Sequence, residues 1–169
     1  MQAPKIEDRI ENWLDQPKKI ARQMIGPYGQ PDEVTDRRLI WHNNGPWKRS
    51  ELVNEEIPHR FPEPHHDSLL QVIAYRVPPE LASQLLQFDG SIVIERTRGE
   101  LAARCDSERA NYLALNLAHE IITGKKSVGE ARLFYAEAVQ KKRHQEYLER
   151  FLFKVPTSDQ ADPDEPVKA

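Results

Sequence analysis

The sequence predicts an α+β fold: a mostly antiparallel sheet of about five strands packed against two C-terminal helices. Three observations carry that expectation. Two helical segments each lead into a hairpin signal, at Asn44-Gly45 and at Thr97-Arg98-Gly99, so the chain holds two helix–hairpin units. Between them the run SLLQVIAYRV, Ser68 to Val77, reads as a buried strand that joins the two hairpins in one sheet. After the second hairpin, Cys105 to Gly124 reads as a core helix whose apolar arc of about 200° is wider than a surface helix needs.

The elements follow in order. Ile6, Ile10, Trp13, Leu14, Ile20 and Met24 recur near helical spacing, but Pro17 interrupts them and predicts a break or two short helices. Gly26 to Pro31 is a turn cluster. Strands are expected at Arg38–Asn43 and Trp47–Val53, joined by Asn44-Gly45, with Trp41 and Trp47 anchoring the hairpin on a core. Residues Pro58 to Asp67, PHRFPEPHHD, read as an extended loop because their prolines suit neither a helix nor a central strand. Pro79 to Gln87 starts as a short helix with proline in its first turn, and SIVIER and ELAARC form the second hairpin.

In the core helix Asp106 or Ser107 caps the start and Gly124 ends it. Asn111 falls inside the apolar arc, so it requires one internal polar contact; a buried amide left unpaired costs about 1–3 kcal/mol. Ser127 and Glu130 form a capping box for a final helix with Val128, Ala131, Phe134, Tyr135, Ala138 and Val139 on one arc. A polar stretch, QKKRHQE, then separates a second apolar patch, Tyr147, Leu148, Phe151 and Leu152, rotated by about 140° from the first. A straight helix cannot turn both to one surface. Either it bends near Lys141, or the second patch meets a different surface: a partner, or the N-terminal segment around Trp13 and Leu14. Residues 1–155 read as one domain, and 156–169, PTSDQADPDEPVKA, as a disordered acidic tail.

Tyr28-Gly29-Gln30-Pro31 ahead of Leu39-Ile40-Trp41 resembles the helix–hairpin modules of the β-lactamase-inhibitor and outer-membrane-assembly lipoprotein type, over roughly a quarter of the chain. Those families are exported, whereas this sequence begins without an export signal or a lipidated cysteine. The likeness is one of shape and implies no function.

Composition narrows the field. The chain has 169 residues, 38% of them hydrophobic and 30% charged, with a net charge of −3. That charge argues against a dominant nucleic-acid footprint. A single cysteine, Cys105, excludes an internal disulfide and suits a reducing cytoplasm. No apolar run is long enough to span a membrane.

Four constellations carry possible chemistry. His59, His65, His66 and Asp67 offer nitrogen and carboxylate ligands for zinc or another divalent metal. If the segment is extended, His65 and His66 point to opposite sides, and His59 and Asp67 supplement one of them. No HExxH or paired CxxC spacing reinforces the site. Cys105 before a helix N-terminus has the setting of a nucleophile. Its nearest sequence partner, His119, lies about 20 Å away along the helix, so the plainer reading is a small core residue on the strand face of Leu101 and Ala103. Arg37, Arg38, Trp41, Trp47, Lys48 and Arg49 mix basic and aromatic groups, yet tryptophans on a hairpin are more often core than nucleic-acid platforms. Arg96, Arg98, Glu100 and Arg104 suit cross-strand ion pairs on a solvent face.

The function the sequence favours is that of a small cytoplasmic, non-catalytic interaction or accessory protein. Tyr147, Leu148, Phe151 and Leu152 would anchor a protein partner or a second copy, with no cofactor required. The alternative is a small metal-dependent enzyme using His59–Asp67 and a divalent ion. A third reading is a ligand pocket between sheet and helices with Asn111 as its polar anchor.

Overall fold

A computed structural model describes residues 6–169; residues 1–5, which the predicted domain includes, lie outside it. One antiparallel sheet of six strands organises the chain, in the order β1-β2-β3-β4-β6-β5. The strands are β1 (Glu33–Val34), β2 (Arg38–His42), β3 (Arg49–His59), β4 (His65–Ala74), β5 (Ile92–Glu95) and β6 (Glu100–Cys105). The helices are α1 (Ile6–Ile10), α2 (Asp15–Tyr28), α3 (Ala82–Phe88), α4 (Glu108–Ile122) and α5 (Val128–Gln140). The fold is α+β. The two helix–hairpin units are present as α2 with β2–β3 and α3 with β5–β6, and β4 joins them at the sheet centre. The strand beyond the expected five is β1, whose two residues pair with Ile40 and Leu39; a strand that short has no periodicity to read.

Local chemistry explains the boundaries. The break between α1 and α2 falls just ahead of Pro17, which then sits in the first turn of α2, where its missing N–H removes no helix bond. Asn54 Oδ1 accepts from the Leu14 N–H at 2.9 Å, filling the place of a cap at that helix start. Ser107 caps α4 by accepting from Ala110 N–H, and Gly124 ends it with φ of 74°. The α5 capping box is fully formed, Ser127 and Glu130 each bonding the other's backbone.

Two corrections concern the hairpins. The β2–β3 connection is not a two-residue turn on Asn44-Gly45. Positive φ falls on Asn43 and Gly45, 49° and 64°, while buried Asn44 between them donates to Ser50 Oγ. Of Pro58–Asp67 only residues 60–64 form a loop. The structure continues β3 to His59 and starts β4 at His65, with His59 opposite His65. Pro58 is tolerated because β3 has no neighbour on its β2 side beyond Asn54, so that free edge loses no ladder bond.

Alternation on β4 sorts the sheet faces. Asp67, Leu69, Gln71 and Ile73 face the helices, in register with Cys105, Ala103 and Leu101 on β6. Leu39, Trp41, Leu52 and Leu69 pack with α1 and α2; Ile73, Leu101, Trp47 and Leu85 pack with α4 and α5. The opposite face carries an ion ladder in which Glu100 meets Arg49 and Lys48, each at 2.9 Å, and Arg49 also meets Glu51 at 2.7 Å.

The C-terminal region departs most from expectation. α5 stops at Gln140, and left-handed residues Lys142 and His144 turn the chain back onto α4. Asn116 fixes it there: its Nδ2 donates to the Tyr147 and Arg150 carbonyls at 3.0 and 2.8 Å, and its Oδ1 accepts from Leu152 N–H. The second apolar patch therefore meets the α4 side of the core, not Trp13 and Leu14, which belong to the α1–α2 side. Residues 156–169 have no helix or strand. Arg76 donates to the Gln160 and Ala161 carbonyls within them, and Arg96 pairs with Asp162 and Asp164.

Candidate metal centre

A bulge in β3 creates the site. Leu52 pairs with Leu69, and that register continued would set His59 against Pro62, inside the turn. Between Leu52 and Ile57 the register shifts, so that Ile57 faces Asp67 and His59 faces His65. The shift also changes which residues point inward, from Ser50 and Leu52 before the bulge to His59 after it. His65 and Asp67, two apart on β4, share that inner face; His66 points to the other side and is exposed. Among the described residues, donor atoms of His59, His65 and Asp67 all lie within 4.8 Å of one another.

The rings are oriented from behind. His65 Nδ1 lies 2.8 Å from the Glu63 carbonyl, which can only accept, so Nδ1 carries a hydrogen and Nε2 faces the cluster. His59 Nε2 faces Asp89 Oδ1 at 3.6 Å, leaving Nδ1 turned inward, 3.2 Å from Asp67 Oδ2. Metal-binding histidines are oriented as His65 is, with the outer nitrogen hydrogen-bonded to a carbonyl or carboxylate; the His59–Asp89 contact is longer than a hydrogen bond. The Asp67 carboxylate is 1% exposed and accepts from Ser91 Oγ through Oδ2. Its Oδ1 has no hydrogen bond of ordinary geometry and is paired as an ion with His65 Nε2 at 3.0 Å. A protonated His65 balances that buried charge, and a metal ion would balance it in the proton's place.

The electrostatics hold a proton at His65 that an entering ion would have to displace. The Asp67 carboxylate raises the His65 pKa from 6.5 to about 9 against the opposing effect of burial, and the Glu63 carbonyl adds to the rise. Burial pushes Asp89 up, opposed by the Ser91 backbone N–H. The cluster borders a cavity of about 70 Å³ lined by Glu63, His65, Cys105, Asp106 and Tyr135, whose two acidic side chains favour entry of a cation.

Nucleophilic chemistry fits less well. Burial lifts the Cys105 thiol well above its ordinary pKa, and the carboxylates of Asp106 and Asp67 lift it further, so it is no ready thiolate. Ser91 Oγ donates to the Asp67 carboxylate and stands 3.4 Å from His59 Nδ1, so its hydroxyl is tied into the cluster.

The other residues singled out from sequence are placed elsewhere. Asn111 is fully buried, and its Nδ2 donates to Leu69 O and Gln71 Oε1 at 3.1 and 3.0 Å. Tyr147, Leu148 and Phe151 pack on the chain's own core, while Leu152 stands 43% exposed. Trp41 and Trp47 are each 1% exposed and present no ring to a nucleic acid. Arg98 pairs with Glu95 and Glu100, as a solvent-face network requires. Sequence reasoning missed Asp89 and Ser91, which the turn after α3 delivers to the cluster; the Asp89-Gly90 turn signal gave their local shape but not their destination. No helix among the described residues is long and apolar enough to cross a membrane. Comparisons with protein-family models, curated proteins and solved structures find no match to this chain, so the likeness of its first helix–hairpin unit to exported modules remains one of local shape.

Proposed function

We propose that the protein binds a divalent transition-metal ion of the zinc class through His59 Nδ1, His65 Nε2 and Asp67. One observation carries the reading: two histidine nitrogens converge on one buried carboxylate, His59 Nδ1 at 3.2 Å from Asp67 Oδ2 and His65 Nε2 at 3.0 Å from Asp67 Oδ1, and Oδ1 has no hydrogen bond. Mixed nitrogen and carboxylate donors suit zinc better than magnesium or calcium, which take oxygen shells. His66 is left out of the ligand set because it lies on the opposite face of β4. The apolar-patch reading has less support, since three of its four anchors pack inward. A reducing cytoplasm belongs to the same proposal, because it keeps the one cysteine a thiol.

Calorimetric titration of zinc into chelator-treated full-length protein tests it, with native mass spectrometry giving the stoichiometry. One ion per chain is expected. Asp67→Asn and His65→Ala should each weaken binding by more than the roughly 10–100-fold that loss of an outer partner costs, and Asp89→Asn should fall within that range. Absence of binding, or unchanged affinity in Asp67→Asn and His65→Ala, overturns the reading.

A further inference from the structure

Three protein donors leave a zinc-class ion one short of a four-coordinate shell. Cys105 stands where the fourth belongs. It ends β6 on the inner face, paired with Leu69, the inward residue next after Asp67 on β4. Its Sγ lies 3.6 Å from His65 Nε2. With zinc–nitrogen bonds of about 2.0–2.1 Å and a zinc–sulfur bond of about 2.3 Å, tetrahedral ligands place nitrogen and sulfur about 3.6 Å apart. The same geometry sets nitrogen and oxygen ligands about 3.3 Å apart, and Asp67 lies 3.2 and 3.0 Å from the two histidine nitrogens. A thiol alone would say little. The independent sign of a ligand is the Asp67 carboxylate, 1% exposed, whose Oδ1 meets the same His65 nitrogen at 3.0 Å outside hydrogen-bond geometry, the spacing of two ligands on one ion.

We propose that the Cys105 thiolate is the fourth ligand of this ion, an inference that rests on the metal-binding reading above. Sγ lies outside the group of donors within 4.8 Å of one another, so on binding it moves from its place beside His65 toward His59 and Asp67. Its present neighbours do not hold it firmly: Asp106 Oδ1 is 3.7 Å away and the Tyr135 hydroxyl 4.0 Å. On binding, the S–H bond breaks, its proton leaves to solvent, and a metal–sulfur bond forms with no change of oxidation state. The resulting shell is two histidines, one aspartate and one cysteine, with no position open for water. A closed shell of this kind makes the ion a structural tie. It fastens the β3–β4 hairpin tip to the end of β6, three residues before α4 begins, and does not activate a hydrolytic water.

Cobalt(II) titration of the chelator-treated full-length protein tests the assignment, because thiolate ligation gives a near-ultraviolet sulfur-to-cobalt charge-transfer band that nitrogen and oxygen ligands do not. The expected result is that band together with the intense visible bands of four-coordinate cobalt, the charge-transfer band being lost in Cys105→Ser. Cobalt bound without the charge-transfer band overturns Cys105 as a ligand and leaves the three-donor site standing. No cobalt spectrum and no zinc heat overturns the metal reading and this inference with it. The unsubstituted protein alone separates these outcomes, so the test holds even where Cys105→Ser fails to fold.

Discussion

Two polar clusters lie against the inner face of the same sheet, and they are built on opposite principles. At the sheet centre Ser50 and Gln71 face each other across β3 and β4, and Asn44, Asn111, Tyr28, Trp47 and Glu108 close around them. There one carboxylate oxygen, Glu108 Oε1, accepts from Tyr28 Oη, Trp47 Nε1 and Gln71 Nε2 at 2.7, 2.6 and 3.2 Å. Its donors are neutral groups, and the atoms left over are amide oxygens, Asn44 Oδ1 and Asn111 Oδ1. At the hairpin tip the atom without a hydrogen bond is a carboxylate oxygen, Asp67 Oδ1, and its partner is the ion-paired His65. Fixed neutral donors around an anion make a joint. An anion balanced by a displaceable proton on His65 leaves room for a metal cation in that proton's place.

Removing the anion from the central joint tests this contrast most severely. Glu108→Ala leaves three donors without their acceptor, and at about 1–3 kcal/mol for each buried group the loss should be about 3 kcal/mol, read from urea unfolding. Zinc affinity should stay as it was; a matching fall in affinity would show that the two clusters act as one. A smaller effect, about 1–3 kcal/mol, is expected for Asn111→Leu, which strands Gln71 Oε1 and the Leu69 carbonyl. An unchanged unfolding midpoint in that variant would mean that the central network is not what fixes α4 on the sheet.

The gentlest probe is pH. His65 has its pKa raised from 6.5 to about 9 in the metal-free fold, so folding takes up a proton between those values. Its contribution is fully present below about pH 6.5 and is lost as pH rises through about 9. Metal-free protein should therefore lose stability slightly across that window, and His65→Gln should flatten the slope. Zinc affinity should move the other way, rising with pH as the proton that zinc displaces is held less tightly. A metal-free slope of the opposite sign would remove the Asp67–His65 pair as its cause.

The sequence carried the fold further than the site. The α4 helix, the capping box at Ser127, both hairpins and the inward placement of Leu101, Ala103 and Cys105 follow from period and turn chemistry, which are local. Alternation likewise separates His65 from His66 and adds Asp67 to one of them. What it cannot supply is the β3 bulge, because no residue between Leu52 and Ile57 marks the shift that sets His59 opposite His65. Nor does helical period foretell that Asn116, on the nominal polar face of α4, is 2% exposed, since the segment that covers it arrives from beyond α5. The tail's seat has the same origin. At Gly99 an added Cβ would come within 2.1 Å of the Gln160 backbone, a closeness that belongs to the tertiary fold.

The turn-back after α5 has a consequence for synthesis. Phe151 closes over Trp47 and Tyr112, with ring centres 5.0 Å from each, and Asn116 holds that closing segment by three hydrogen bonds. Trp47 and Phe151 are separated by about a hundred residues of chain. A ribosome therefore releases the tryptophan hairpin long before its cover exists. Until the last segment emerges, the nascent domain displays an aromatic face to whatever else is in solution, and quality-control factors that recognise exposed apolar surface have their longest opportunity there.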